Sequence, residues 1–274
     1  MSIPEGNLLS NVERFTGFAD GYDRSRPQAP TVVPELILRY LGRKPALVAD
    51  VGCGTGLSTM LWRSWADRIV GIEPNTDMIT VAREKLANSN DTDNISFEHG
   101  FSNALPFAVQ SVDVITCSQS FHWMDPDSTL KEFGRVLVQG GVFAAYDCDW
   151  PPSLEWETED AYNRILAKAD DIIQRLAPEQ QQARKWDKSS HLDRMAASGV
   201  FRFTKEIVFH HHEPFDADRY VRLALSQGGV QTVFKLGSSE LDEDLVHFSA
   251  LAGKAFAGKT LELMFSYRMR VGIK

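Results

Sequence analysis

Residues 46–56 read Ala46-Leu47-Val48-Ala49-Asp50-Val51-Gly52-Cys53-Gly54-Thr55-Gly56. The first six are almost all apolar, which is typical of a strand buried on both faces of a parallel sheet. The three glycines stand at alternate positions, and a glycine turn between a strand and a helix lets the backbone lie directly against a ligand. We therefore predict a strand, a ligand-binding loop and a helix, in that order.

Short apolar runs and amphipathic runs alternate on both sides of this loop. Strands are predicted over residues 46–51, 68–72, 95–99, 112–117 and 141–146. Helices are predicted over residues 31–42, 57–65, 76–87 and 126–137. Strands and helices that alternate at this spacing indicate right-handed crossover units and a doubly wound, mostly parallel sheet.

The pattern changes after Asp149-Trp150-Pro151-Pro152. Residues 201–212 and 262–272 alternate as strands do, and the helical stretch 215–260 separates them. The domain prediction is an N-terminal arm or lid over 1–30, a core over 31–152, a helical cap over 153–200, and the last two core strands within 201–274, with a cap insertion at 215–260. The predicted fold class is α/β, a Rossmann-like, doubly wound, seven-stranded sheet with a helical cap inserted late in the chain.

Composition narrows the class of protein. The chain has 274 residues, 43% of them hydrophobic, and a formal net charge of −8. This charge disfavours nucleic acid as a partner, because the field of the protein repels a phosphate backbone. No basic and apolar leader and no run of 18 apolar residues occurs, so we expect a cytoplasmic protein without a membrane partner. Cys53, Cys117 and Cys148 are odd in number and widely spaced, which favours reduced thiols.

A carboxylate follows the second predicted strand. Glu73 lies 21 positions after Gly52, and in doubly wound folds a carboxylate about 20 residues past the glycine loop accepts hydrogen bonds from ribose hydroxyls. The loop spacing is GxGxG, whereas dinucleotide sites use GxGxxG, and the sequence has no GxxxxGK[ST] phosphate loop. The pattern favours a ligand that carries adenosine but no phosphate.

Further segments follow in order: Ala104-Leu105-Pro106-Phe107, Ser111-Val112-Asp113-Val114-Ile115, Ser118-Gln119-Ser120-Phe121-His122-Trp123 and Arg135-Val136-Leu137-Val138-Gln139-Gly140-Gly141. With them, the chain resembles the class I S-adenosylmethionine-dependent methyltransferases of the "methyltransferase type 11" kind over about residues 15–147. Within that family it is most similar to the trans-aconitate methyltransferase group, through Gln119, His122 and Trp123. The resemblance implies S-adenosylmethionine as the cofactor and methyl transfer to a small molecule, with a small organic acid as one candidate acceptor.

The resemblance also implies roles for single residues. Asp50 would orient the glycine loop or meet the amino group of the methionine moiety, Glu73 would hold the ribose, and Arg26 would pair with a carboxylate. The chain departs from the family pattern at Gly100-Phe101-Ser102-Asn103, where an acidic residue is usual, so Phe101 is expected to stack on adenine. The full predicted cofactor set is Tyr22, Arg26, Asp50, Gly52, Cys53, Gly54, Glu73, Pro74, Met78, Phe101, Ser102, Asn103, Ser118 and Gln119.

His122 and Trp123 follow the fourth strand and are expected at the rim of the methyl-donor pocket, as substrate-binding residues. His122 is the candidate general base, since imidazole titrates near neutrality; a structural histidine is the alternative. A metal site is not predicted. Residues His210-His211-His212 point alternately to opposite faces of a strand, and no neighbouring ligand set completes a site.

Two other functions remain open at this point. An enzyme of this kind could instead attack another carbon next to the sulfur, and cyclise or transfer the aminocarboxypropyl group with release of methylthioadenosine. The chain could also bind S-adenosylmethionine without turnover. The acceptor and the oligomeric state are not readable from the sequence.

Overall fold

The computed structural model describes residues 3–13, 16–17, 25–90, 92–178 and 182–274. The strands are β1 Leu47–Val51, β2 Arg68–Glu73, β3 Ile95–His99, β4 Val112–Ser118, β5 Leu137–Cys148, β6 Phe203–Phe215 and β7 Leu261–Ile273. The described α-helices are α1 Leu9–Glu13, α2 Val32–Leu41, α3 Leu57–Leu61, α4 Thr76–Ala87, α5 Pro126–Val136, α6 Trp156–Leu176, α7 His191–Ala197, α8 Ala217–Leu225, α9 Gly228–Lys235 and α10 Asp242–Phe256.

All seven strands form one sheet in the order β3-β2-β1-β4-β5-β7-β6. The pairs from β3 to β5 are parallel, and β7 is antiparallel to both β5 and β6. The chain starts at the centre with β1, winds outward to β3, and returns to β4 on the other side. This confirms the predicted doubly wound α/β fold with seven strands.

Alternate residues of each central strand pack into two separate cores, because successive side chains of a strand point to opposite faces. Val48 and Val114 pack on the face covered by α2, α4 and the late helices. Ala49 and Ile115 pack on the face covered by α5 and α7. Burial on both faces explains why these strands read as continuous apolar runs.

Some element boundaries differ from the prediction. The first helix after the glycine loop ends at Leu61 and continues as a 3₁₀ turn over Trp62–Ser64. Helix α6 ends at Leu176 because Ala177 adopts an extended conformation (φ −85°, ψ 133°) before Pro178, as the ring of a following proline favours. Strand β6 extends through Pro214. An edge strand tolerates proline because a backbone nitrogen that points away from the sheet has no hydrogen-bond partner there.

The helices between β6 and β7 pack with α6 against one face of the sheet. Tyr162 of α6 packs against Tyr220 of α8 and Phe248 of α10, with ring centroids 5.9 and 5.7 Å away. All three rings are fully buried. Within the described parts of the chain, no helix has both the length and the apolar character needed to cross a bilayer.

Candidate active site

A cavity opens at the carboxyl ends of the parallel strands, where β1 and β4 lie side by side and the chain reverses its winding direction. Ligands of doubly wound sheets bind at such a switch point. The wall of the cavity includes the glycine loop after β1, Glu73 at the end of β2, and Ser118 at the end of β4. The fold therefore places the predicted ligand-binding segments around one space.

The three glycines of the loop are required for different structural reasons. All are left-handed, with φ of 69° at Gly52, 56° at Gly54 and 84° at Gly56. A Cβ on Gly52 would lie 2.6 Å from Cβ of Ser120, and one on Gly56 would lie 2.6 Å from the ring of Phe97. A Cβ on Gly54 would have no atom within 4 Å. Gly52 and Gly56 thus serve the packing of the chain. Gly52 also lines the cavity, and Gly54 faces open space in the cavity wall.

Glu73 reaches the cavity with both carboxylate oxygens fixed. Its Oε2 accepts from the amide of Gly54 at 2.9 Å, and its Oε1 accepts from the amide of Asn75 at 2.9 Å. The side chain is 8% exposed. Burial, helped by the charge of Asp50 and opposed by the two amides, raises the pKa of Glu73 to about 7. A carboxylate with lone pairs left over, at the edge of a cavity, can accept two further hydroxyl donors.

Asp50 lies beneath the loop. It is fully buried, and its carboxylate accepts from the hydroxyls of Ser58, Thr59 and Thr116 at 2.6, 2.7 and 2.8 Å. Burial raises the pKa of this carboxyl group, and the three hydroxyls oppose the shift. Of the two roles expected for Asp50, the contacts favour orientation of the loop, because they tie β1 and β4 to the start of α3.

Most of the other predicted cofactor residues border the same cavity. Those described as lining it are Arg26, Cys53, Pro74, Met78, Phe101, Ser102, Ser118 and Gln119, together with Trp123. Gln119 has a left-handed backbone (φ 55°), held by a hydrogen bond from its amide to the carbonyl of Tyr146 at 2.9 Å. Strained backbone of this kind is concentrated at ligand sites. Tyr22 lies outside the described residues.

Arg26 crosses the cavity wall toward the late helices. Its Nη2 donates to the carbonyl of Ser226 at 2.8 Å, and its guanidinium lies 5.2 Å from the ring centre of Trp150. These contacts hold the side chain in place while leaving the planar group beside the cavity.

Asn103 was expected at the adenine edge, but among the described residues it does not contribute to the cavity wall. Its amide instead donates to the carbonyl of Glu5 at 2.7 Å, and its Oδ1 accepts from Asn7 at 2.9 Å. The turn after Phe101 directs Asn103 toward the N-terminal segment, which competes for its hydrogen bonds. The place of Asn103 at the adenine edge stays a prediction.

His122 was expected at the rim of the pocket, and the structure places it below the wall. The residue is 4% exposed and is absent from the described cavity lining, whereas its neighbour Trp123 is part of it. Its Nδ1 lies 3.3 Å from Oδ1 of Asp147, and its carbonyl accepts from the amide of Trp186 at 2.8 Å. Burial lowers the pKa of His122 to about 4, despite the nearby carboxylate of Asp147. His122 therefore lies behind the described cavity lining, and its role as a general base stays a prediction.

His122 belongs to a buried charged cluster around Asp147. Potential metal-ligand atoms of His122, Asp147 and His191 all lie within 4.8 Å of one another. Nζ of Lys188 lies 2.9 Å from Oδ1 of Asp147, and Nη1 of Arg270 donates to its Oδ2 at 3.3 Å. Although burial alone would raise the pKa of Asp147, the neighbouring His122 and Lys188 hold it below its usual value. Two cations already neutralise the carboxylate, so a metal ion there would meet like charges.

The lining residues missed from the sequence include two groups. Asn7, Leu8, Asn11 and Val12 lie over the cavity, and no local pattern marks them, since residues far along the chain hold them in place. The second group comprises Tyr146, Trp150 and Tyr267. For Tyr146 a signal existed, because it ends the fifth predicted strand and strand ends form the site.

Comparison with known proteins agrees with this arrangement. The family described as "Methyltransferase domain" matches residues 49–145. A methyltransferase of Mycobacterium tuberculosis is 30% identical over 162 residues, 59% of each chain. The ubiquinone/menaquinone biosynthesis C-methyltransferase of Campylobacter jejuni is 28% identical over 187 residues, 61% of this chain and 72% of that protein. For three further curated relatives the match spans 40–59% of the relative's length, so this chain covers about half of each of those proteins.

The fold of the chain is also similar to that of a solved methyltransferase structure. The structure of a proposed type II methyltransferase from Anaeromyxobacter dehalogenans superposes with a TM-score of 0.62, at 20% identity, over 90% of this chain and 97% of that one. The likeness covers the late strands and helices as well as the matched domain. Residues 49–145 of this chain therefore match the family of methyltransferase domains, and the chain has the fold of the Anaeromyxobacter dehalogenans methyltransferase structure.

Proposed function

We propose that the protein transfers the methyl group of S-adenosylmethionine to a small-molecule acceptor. The observation that carries this proposal is the pairing of Glu73 with Gly54 at one edge of the cavity. The carboxylate has lone pairs left for two ribose hydroxyls, and the loop beside it is open where a side chain would otherwise stand. Phosphate-binding features are missing from the loop sequence, which suits a nucleoside ligand without phosphate.

The other lining residues would divide the cofactor between them. Phe101, Ser102 and Met78 border the cavity next to Glu73 and would hold the adenine. Ser118, Gln119 and Arg26 border it near the ends of β4 and β5 and would hold the methionine part. The donor, when bound, supplies a methyl group made electrophilic by its sulfonium. The chain needs mainly to align an acceptor with that methyl group and to exclude water.

The acceptor would lie in the second half of the cavity, beside β5 and β7. Trp150 after β5 and Tyr267 on β7 border this half, and Trp123 lies in the cavity wall after β4. The guanidinium of Arg26, which also serves the methionine part, lies 5.2 Å from the ring centre of Trp150. An aromatic surface with one cationic group suits a small organic acid, the acceptor class that we favour. A carboxylate acceptor needs no general base, which agrees with the burial of His122. We also propose that residues 1–30 act as a lid and that 153–200 and 215–260 form a cap that sets specificity.

The first test is incubation of the purified protein with S-adenosylmethionine, alone and with a panel of small acids, amines, phenols and a hydroquinone. The hydroquinone is included because one relative is named for quinone biosynthesis. Mass spectrometry then identifies the nucleoside product. S-adenosylhomocysteine formed with one acceptor would support the proposal and name the acceptor. Methylthioadenosine would indicate cleavage of a different carbon–sulfur bond, and binding without any turnover would indicate a non-catalytic protein.

The matched variant for this test is Glu73→Gln. It keeps the size of the side chain and removes the charge that would accept the ribose hydroxyls. We expect the concentration of S-adenosylmethionine at half-maximal rate to rise about tenfold or more. An unchanged value would contradict the ribose role of Glu73 and leave the methyl-transfer reaction itself standing.

A further inference from the structure

Tyr146 is a buried phenol in the cavity wall that the proposed function does not yet use. It lies near the end of β5, borders the cavity and is only 1% exposed. Its hydroxyl has no hydrogen-bond partner among the described residues. Such a group is unfavourable in a folded protein unless a ligand or water satisfies it.

The surroundings of the hydroxyl show which part of the cavity it faces. The hydroxyls of Ser118 and Ser58 and the carboxylate of Asp50 are its polar neighbours. Both serines border the cavity, one at the end of β4 and one at the start of α3. The Tyr146 hydroxyl therefore lies between the glycine loop and the end of β4, on the side away from Phe101 and Glu73.

The charge state of Tyr146 decides what it can offer. Burial and the charge of Asp50 raise the pKa of the phenol above its usual value, so the group is neutral and keeps its proton. A neutral phenol can donate one hydrogen bond, and an anionic oxygen is the strongest acceptor for it. Arg26 borders the same cavity and adds a positive charge.

We propose that the hydroxyl of Tyr146 donates a hydrogen bond to the α-carboxylate of the methionine part of S-adenosylmethionine. The inference rests on the proposed function, since it names a contact to the same cofactor. Tyr146 would anchor the methionine end of the cofactor, and Glu73 would hold the ribose on the other side of the sulfonium. The sulfonium between these two anchors would then be fixed relative to the acceptor half of the cavity.

The test compares two ligands in the Tyr146→Phe variant, which lacks only the hydroxyl. Isothermal titration calorimetry measures the affinities for S-adenosylhomocysteine and for its decarboxylated analogue S-adenosyl-3-thiopropylamine, by competition where binding is weak. We expect the affinity for S-adenosylhomocysteine to fall about tenfold and that for the analogue to stay within about twofold. Equal losses for the two ligands, or no loss for either, would overturn the proposal.

Tyr220→Phe is the matched control. The Tyr220 hydroxyl is also buried and also lacks a partner among the described residues, but its side chain is not part of the described cavity lining. Both variants should unfold at the temperature of the parent protein or slightly above it, because each loses an unpaired buried hydroxyl. Only Tyr146→Phe should lose affinity. If the parent protein binds neither ligand, the proposed function fails, and that result is distinct from a failure of the Tyr146 contact alone.

Discussion

Glu73 is both the proposed ribose anchor and a group with a shifted pKa, so cofactor binding should depend on pH near neutrality. Its pKa lies at about 7, and the ionised form is the better acceptor for hydroxyl donors. Affinity for S-adenosylhomocysteine should therefore be highest above pH 8. Below pH 7 it should fall, approaching about tenfold per pH unit if only the ionised form binds. Calorimetric titrations between pH 6 and 8.5 measure this.

Glu73→Gln serves as the control for this pH profile. The amide cannot ionise, so the variant should bind weakly at every pH with a flat profile across the same range. A profile that keeps its slope in the variant would assign the titration to another group. A flat profile in the parent protein would contradict the shifted pKa of Glu73.

His191 gives a prediction about stability. It is 1% exposed, and neither ring nitrogen has a hydrogen-bond partner among the described residues. Burial lowers its pKa to about 4, below the usual 6.5 of the unfolded chain. The unfolded state therefore takes up the proton first, and the stability contributed by neutral His191 is lost as pH falls from about 6.5 to 4. This loss amounts to about 1.4 kcal/mol per pH unit at most.

His191→Phe removes both unpaired nitrogens and keeps a ring against Phe121, whose centroid is 4.8 Å away. The variant should be more stable than the parent, and its advantage should widen between pH 6.5 and 4. Urea unfolding at several pH values measures the difference. His247→Gln, at an exposed position on α10, is the control and should show no such widening. A constant difference across the range would contradict the lowered pKa of His191.

At the scale of elements, Gly54 and Gly56 of the glycine loop have different roles, one in ligand binding and one in packing. Gly54→Ala places a methyl group in open cavity space at a left-handed position, whereas Gly56→Ala directs one against the Phe97 ring at 2.6 Å. Both substitutions cost about 1–2 kcal/mol through the backbone, and Gly56→Ala adds about 1–3 kcal/mol of overpacking. We expect Gly54→Ala to weaken binding of S-adenosylhomocysteine at least tenfold with modest destabilisation. Gly56→Ala should mainly destabilise the fold, as urea unfolding would measure, and similar effects of the two would contradict this division.

The elements were largely predictable from the sequence, because buried parallel strands carry continuous apolar runs and glycine loops follow them directly. The same local signal located the glycine loop and Glu73. It did not indicate the burial of His122, which stands in a turn between β4 and α5. The orientation of that turn depends on Asp147 and Trp186, which lie 25 and 64 positions further along the chain. Contacts of this kind leave no local pattern.

At the scale of the whole molecule, the cavity is closed by segments that are distant in sequence. Asn11 donates to the carbonyls of Trp123 and Arg184 at 2.8 and 3.0 Å, and its Oδ1 accepts from the amide of Arg184 at 2.8 Å. One side chain thus joins the N-terminal segment, the turn after β4 and the chain before α7. No sequence pattern announces this junction, since its partners are 112 and 173 positions away.

Because Leu8 and Val12 on either side of Asn11 line the cavity, loosening this junction should speed the release of bound ligand. We expect Asn11→Ala to raise the dissociation rate of S-adenosylhomocysteine about threefold to tenfold, the loss of one or two ordinary hydrogen bonds, with a smaller effect on association. Stopped-flow displacement measures both rates. Asn94→Ala is the control, since Asn94 also donates to two backbone carbonyls, those of Arg63 and Ala66, outside the described cavity lining. If the two variants release ligand equally fast, the Asn11 junction does not hold the cavity closed.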